Sequence, residues 1–194
     1  MLQQTRVEAV KPFFERFIKA LPDVQALSEA PEDELLKLWE GLGYYNRVRN
    51  MQKAARVIVS EHGGDFPADY EKLLSLPGLG HYTAGAVSSI AFGIPMPAVD
   101  GNVLRVLSRV TASYEDVLKQ SVKTAMEAEV KKIIPADRAG DFNQALIEIG
   151  AIVCVPNGKA KCEICPLAFL CEAYKKGIVD ELPKKKVKKE RRIE

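Results

Sequence analysis

The clearest structural signal in this 194-residue chain is the stretch LPGLGHYTAGA at residues 76–86. Pro77 ends the segment before it, and Gly78 and Gly80 permit positive φ and a close backbone approach. A new helix begins at about His81, with its first amides unpaired at the positive end of the helix dipole. Such a helix start binds phosphate without a charged side chain, although an ordinary tight helix–helix turn can have the same sequence.

Helical periodicity continues on both sides of this hairpin. We predict further helices over about 32–42, 50–62, 70–75, 83–92, 101–112, 117–134 and 141–153. Ahead of them, the spacing of one apolar helical face is found at Val7, Val10, Phe14, Phe17, Ile18 and Leu21. The sequence contains no alternating run of four or more residues typical of a strand, so the predicted fold class is all-α.

The charge balance excludes a plainly basic nucleic-acid-binding body. Lys and Arg number 28 against 26 Asp and Glu, a net charge of +2. The last eleven residues, 184–194, hold seven bases and two acids, so they carry +5 and the remainder carries −3. We interpret 184–194 as a basic linker or tail with a secondary attraction for phosphate.

Residues 73–99 lack Asp, Glu, Lys and Arg, a run of 27 residues that is long enough to cross a bilayer. Prolines and glycines interrupt the run throughout, which favours a loop, a helix and a loop in a protein core. Charged residues within 1–20 argue against a signal peptide. We therefore expect a cytoplasmic protein without membrane contact, nucleoid-associated if the source is bacterial.

All four cysteines of the chain lie within 18 positions, with the spacing C-x7-C-x2-C-x5-C. Without export, a reducing compartment makes metal binding more plausible than disulfides. A single C-x2-C with unequal arms favours an iron–sulfur cubane over the paired knuckles of zinc sites. Zinc, or four thiols without metal, are the alternatives. The predicted ligands are Cys154, Cys162, Cys165 and Cys171.

The stretch PAVDGNVLR at residues 97–105 places Asp100 at the start of a helix. Aspartate fills the N-cap position of helices very often, and that is one interpretation. The other is a carboxylate held at the mouth of a cleft.

The hairpin, the VDGNV stretch and the cysteine loop, in that order, resemble the endonuclease III superfamily of DNA base-excision glycosylases. Within it, MLQQTRV at 1–7 and GLGYYNRVRN at 41–50 are similar to MutY-type adenine glycosylases. The resemblance covers residue 1 to about 183. It implies a helix–hairpin–helix fold of two helical lobes, one of which holds a [4Fe–4S] cluster.

The lobe boundaries implied by the resemblance are discontinuous in the sequence. A helical barrel lobe is expected over 8–115, with the helix–hairpin–helix at 73–92. A cluster lobe is expected from 1–7 together with 116–183, followed by the tail.

The resemblance also implies an activity, which is removal of adenine mispaired with 8-oxoguanine or G by hydrolysis of its N-glycosidic bond. Asp100 matches the aspartate that stabilises the oxocarbenium-like sugar, and Tyr82 matches a neighbouring active-site tyrosine. Lyases of the superfamily carry lysine where this chain has Tyr82, so efficient β-elimination is not expected. Gln144 matches a position bordering the adenine pocket, or is an ordinary surface residue of a helix.

The implied partner is double-stranded DNA with adenine opposite 8-oxoguanine or G, bound by a monomer. Leu2 and Gln4 match residues inserted into the duplex beside the lesion, where an apolar wedge can replace a stacked base. The full set of DNA-binding candidates is Leu2, Gln4, Thr5, Arg47, Gly78, Gly80 and His81.

This chain departs from the family pattern in three places. The first gap between cysteines is seven residues, where the family usually has six. Full-length relatives continue into a Nudix-like C-terminal domain beyond the position where this sequence ends. The family's catalytic glutamate lies just ahead of the MLQQT motif, where this chain begins. We therefore expect a truncated catalytic domain that lacks its general acid, a loss typically worth about 10²–10⁴-fold in rate.

Three alternative functions are open on the sequence. A thymine-mismatch glycosylase would share the hairpin, the tyrosine and the cysteine loop. A non-catalytic mismatch-binding module would retard DNA without producing alkali-labile sites. A structural or redox protein would bind a cluster without affinity for DNA.

Overall fold

The computed structural model describes Met1, Thr5 and residues 7–185. The chain divides into two compact units, Met1–Gly80 and His81–Glu194, called here the N-terminal and C-terminal units. The described residues contain no strand; one isolated bridge joins Asp116 and Lys184. The predicted all-α class is confirmed, while the lobe boundaries drawn from the resemblance stay a prediction.

The described residues of the N-terminal unit form five helices, which pack around an apolar core. The ring of Trp39 is fully buried and meets the edge of Phe17, with 6.0 Å between ring centroids. Leu35 and Val48 are fully buried in the same cluster. The helices are α1 (Val7–Ala20), α2 (Val24–Glu29), α3 (Glu32–Trp39), α4 (Asn46–His62) and α5 (Tyr70–Ser75).

The predicted inward face of α1 is partly wrong. Val10, Phe17 and Leu21 are buried in the core, as expected. Val7, Phe14 and Ile18 are 56%, 51% and 45% exposed. At 3.6 residues per turn, the buried and the exposed apolar residues are centred about 60° apart around the helix. The apolar stripe of α1 is therefore wider than the surface that α3 covers.

The C-terminal unit is built around α7, which contacts α8, α9 and α10. Its core contains the fully buried Val103 of α7 and Val130 of α8. A turn of π-helix at Ile149–Val153 continues α9 toward the first cysteine. The helices are α6 (His81–Phe92), α7 (Gly101–Val110), α8 (Gln120–Ile133), α9 (Ala139–Glu148) and α10 (Glu172–Lys175).

The uncharged run at 73–99 is divided among the end of α5, the hairpin, α6 and a segment without regular structure. Across the described part of the chain, no helix is long and apolar enough to cross a membrane. The short helices α2 and α10 were not predicted.

Candidate active site and cysteine cavity

The hairpin before α6 depends on one of its two glycines. Gly78 has φ +80°, and a Cβ there would lie 2.5 Å from the Cβ of Asn50. Gly78 is therefore needed both for its backbone conformation and for its close approach to α4. Gly80 has neither a positive φ nor a neighbour within 4 Å, so the expectation of positive φ is met at Gly78 alone. The next helix begins at His81, as predicted.

Asp100 is the N-cap of α7, and three donors hold its carboxylate. Oδ1 accepts from the backbone N–H of Asn102 at 2.8 Å and of Val103 at 2.9 Å. Oδ2 accepts from Asn102 Nδ2 at 2.8 Å. Because the side chain is half-buried and fixed at both oxygens, Asp100 presents a negative charge in one orientation. The N-cap interpretation is correct, and it is compatible with a second role.

Tyr82 lies in the first turn of α6 and is half-buried. Burial raises the pKa of its phenol, and the negative charge of Asp100 raises it further. Tyr82 and Asp100 both belong to the C-terminal unit, and their joint role in one active site stays a prediction.

Two residues that the sequence did not single out connect this site to the cysteine loop. Asn102 Oδ1 accepts from Arg105 at 2.9 Å, and Arg105 Nε donates to the carbonyl of Cys154 at 2.7 Å. Arg105 also donates to the carbonyl of Gly150 at 2.7 Å and is buried. Asn102 and Arg105 are three residues apart, about one turn of α7, and this spacing is the signal that could have identified them.

All four cysteines line one cavity. Cys171 is buried, and the other three are half-buried. Burial raises the pKa of the Cys162 thiol, and the three other cysteines add to that rise, which reflects their proximity. Arg109 is buried at the same cavity and donates to Cys154 Sγ at 3.2 Å and to the carbonyl of Leu182 at 2.9 Å.

Within the described residues, no group of three His, Cys, Asp or Glu side chains is arranged to hold one metal ion. A cubane takes its four thiolates at separate corners, so it holds them farther apart than a single ion does. The four cysteines that line one cavity are the donor set that such a cluster takes.

The loop between the first two cysteines is closed at its base. The N–H of Lys161 donates to the carbonyl of Val153 at 3.0 Å. Between them, the turn at 156–158 contains Gly158 with φ +79° and nothing within 4 Å of the position of its Cβ. The additional residue of the x7 gap thus belongs to a loop that faces open space at its turn.

The family model described as "HhH-GPD superfamily base excision DNA repair protein" matches residues 1–135. The chain belongs to this superfamily. It is 39% identical to the adenine DNA glycosylase of Buchnera aphidicola subsp. Baizongia pistaciae over 97% of the chain and 53% of that protein. It is 44% identical to the adenine DNA glycosylase of Homo sapiens over 94% of the chain and 33% of that protein. The chain therefore spans about half of the bacterial relative.

Solved structures of this superfamily have the same fold. A thermostable thymine-DNA glycosylase has a TM-score of 0.77 and 31% identity, covering 90% of this chain and 80% of its own. An endonuclease III in non-covalent complex with DNA has a TM-score of 0.75 and 30% identity, with the same coverage. The likeness to the helix–hairpin–helix glycosylases predicted from the sequence is confirmed.

Arg47 is one of the predicted DNA-binding residues. In this structure its side chain binds backbone carbonyls of the N-terminal unit. Its guanidinium donates to Met1 O at 2.8 Å, Leu42 O at 3.1 Å and Gly43 O at 3.2 Å. It also donates to the hydroxyl of Thr5, another candidate, at 3.4 Å. These contacts connect Met1 and Thr5 to Arg47 of α4.

The remaining candidates differ in how far the structure describes them. Gln144 is exposed on α9 and donates to Glu148 at 2.9 Å, as a surface residue would. His81 is exposed at the start of α6. Leu2 and Gln4 lie outside the described residues.

Proposed function

We propose that this chain is the catalytic part of an adenine DNA glycosylase that acts on adenine opposite 8-oxoguanine or G in double-stranded DNA. The carrying observation is Asp100, a carboxylate fixed by three donors. Its negative charge also contributes to the raised pKa of the Tyr82 phenol. Membership of a base excision repair superfamily, and relatives named adenine DNA glycosylase, support the choice of reaction and base.

Asp100 would stabilise the positive charge that develops on the deoxyribose as the N-glycosidic bond breaks. Its orientation is already set by the N-cap hydrogen bonds, so no reorganisation is needed at the moment of reaction. Tyr82 offers no amine for a Schiff base, so the proposed reaction is hydrolysis alone.

DNA binding is assigned to the hairpin glycines Gly78 and Gly80, the start of α6 at His81, and the opening residues. The first amides of α6 would bind a phosphate, and the family wedge position at Leu2 would fill the place of the flipped base. Gln144 would pair with the edge of the flipped adenine. Thr5 and Arg47 would keep the opening segment in place.

We propose that the protein acts as a monomer in the cytoplasm, at the nucleoid if the source is bacterial.

The proposed cofactor is a [4Fe–4S] cluster held by Cys154, Cys162, Cys165 and Cys171, which line one cavity. When bound, the cluster would cross-link the loop 154–171 through four thiolate–iron bonds. The positive charge of Arg109 beside Cys154 compensates thiolate charge at this cavity. Anaerobic purification should give about four irons per chain and visible charge-transfer absorbance. One zinc per chain would favour the zinc alternative.

The test of function is a duplex panel with adenine opposite 8-oxoguanine, adenine opposite G, and thymine opposite G. Single-turnover formation of alkali-labile sites is measured alongside a mobility-shift assay. We expect slow release of adenine, at the reduced rate predicted from the sequence, and fastest opposite 8-oxoguanine. Preference for thymine would favour the thymine glycosylase alternative, which the fold likeness to a thymine-DNA glycosylase supports. Mismatch binding without excision would favour the non-catalytic module.

A further inference from the structure

The segment 93–100 that links α6 to α7 has no regular structure, yet it ends at Asp100. A segment without its own hydrogen-bond ladder must be fixed by its neighbours if the carboxylate at its end is to have one position. The linking segment is fixed on two sides, by α9 and by α6.

Asn143 of α9 holds the linking segment from one side. Its side chain is buried, with 1% of the residue exposed. Oδ1 accepts from the N–H of Ala98 at 3.0 Å, and Nδ2 donates to the carbonyl of Met96 at 2.8 Å. The second Nδ2 hydrogen is directed to Ser89 Oγ on α6, at 2.8 Å. One amide thus bridges two backbone groups of the segment and the helix that carries Tyr82.

Gly85 of α6 receives the linking segment on the other side. A Cβ at Gly85 would lie 1.9 Å from the carbonyl oxygen of Pro97 and 2.8 Å from its carbon. Both are backbone atoms, so no side-chain rotation could relieve the contact. Ser89 Oγ donates to the carbonyl of Gly85 at 2.8 Å, so the bridge from Asn143 continues to this contact.

From these contacts we infer that Asn143 is a positioning residue, which acts together with Gly85 to fix the carboxylate of Asp100 relative to the phenol of Tyr82. Ala98 is two residues before Asp100, and Gly85 is one helical turn after Tyr82. A displacement of about 1 Å at reacting groups can cost about 10²-fold in rate. The catalytic consequence rests on the proposed function, whereas the geometric one does not.

The test compares Asn143→Ala with Val130→Ala, a fully buried residue of α8 in the same unit. Both variants should lose stability, but only Asn143→Ala should slow single-turnover adenine excision, by about 10–100-fold. Duplex affinity should be unchanged within about threefold. If Asn143→Ala does not fold, Asn143→Asp takes its place, because it keeps the side-chain volume and removes the donor to Met96.

A double-mutant cycle with Asp100→Asn separates positioning from general destabilisation. In the Asp100→Asn background, the Asn143 substitution should cost less than about threefold, because the carboxylate that it positions is gone. Equal rate losses in both backgrounds, or equal losses for Asn143→Ala and Val130→Ala, would overturn the inference.

If the unaltered chain releases no adenine, the proposed function fails, and the geometric inference is tested by NMR titration of Tyr82 with 13C-labelled tyrosine. Displacement of Asp100 should remove the smaller part of the rise in the phenol pKa in Asn143→Ala, while the larger part, caused by burial, remains. In Val130→Ala the pKa should be unchanged. An unchanged Tyr82 pKa in Asn143→Ala would refute the inference on its own.

Discussion

The two units differ in what they bury. Among the described residues, the buried polar side chains of the N-terminal unit are Ser28 and Gln52. Those of the C-terminal unit are Ser88, Ser89, Arg105, Ser108, Arg109, Asp116 and Asn143. The first unit is held mainly by apolar packing around Trp39. In the second, buried side chains such as Asn143, Arg105 and Arg109 bond to backbone groups, whereas the buried hydroxyl of Ser88 has no partner among the described residues. Because an unsatisfied buried polar group is costly, this second arrangement fixes geometry as well as stability.

The largest expected effect tests whether the catalytic carboxylate lies in the C-terminal unit. Asp100→Asn should lower single-turnover excision by about 10²–10³-fold, the range for loss of a group that stabilises charge in the transition state. Asn is as good an N-cap as Asp, so α7 should remain folded. Asp69→Asn at the N-cap of α5 is the matched control and should leave the rate unchanged. Equal rates for both variants would remove Asp100 from the mechanism.

Next in size is the apolar core of the N-terminal unit. Trp39→Ala should lower the free energy of unfolding by about 3–5 kcal/mol, measured by urea denaturation. Phe14→Ala on the exposed side of α1 is the control, expected below about 1 kcal/mol. A large loss for Phe14→Ala would show that the exposed edge of α1 is covered by something outside the described contacts.

The corresponding substitution in the C-terminal unit removes a buried guanidinium. Arg109→Met should lower the free energy of unfolding by about 2–3 kcal/mol, because the carbonyls of Val179 and Leu182 lose a donor. Arg138→Met breaks an exposed ion pair with Asp141 and should cost less than about 1 kcal/mol. If the two arginine variants were equally stable, polar burial would contribute little to this unit.

The smallest effect concerns pH. The pKa of Tyr82 is raised in the folded chain, so the stability from its neutral form is present below about pH 10, the ordinary tyrosine pKa. That stability is lost as pH rises through the folded pKa. Tyr82→Phe should flatten this alkaline fall in a urea series above pH 9. Tyr114→Phe, at an exposed phenol bonded to Glu181, is the comparison and should flatten it less.

Local signals in the sequence were sufficient for most of the fold. Proline and glycine at the hairpin, Gly63 in the left-handed conformation after α4, and aspartate at the start of α7 act within a few residues, so they can be read from the chain alone. The inward face of α1 could not be predicted from the sequence, because it depends on how much of the apolar stripe α3 covers.

The site was predictable where it is local and missed where it is not. Asp100 and Tyr82 were identified because each belongs to a short sequence motif. The four cysteines were identified from their spacing in the sequence. Arg105 and Arg109 carry charges that suggest the surface, and their burial depends on carbonyls about 45–73 positions away. Asn143 is adjacent to the candidate Gln144, but only the packed helices show which of the two amides is directed inward.

The closed base of the loop 155–161 makes that loop a natural insertion point for protein engineering. The hydrogen bond from Lys161 to Val153 pins both ends, so added residues at Gly158 would extend away from the cysteines. Doubling the length of a flexible loop costs only about 0.6 kcal/mol. A short fluorescent or affinity tag inserted there would lengthen the sequence between the first two cysteines but leave the positions of the four thiols around their cavity unchanged.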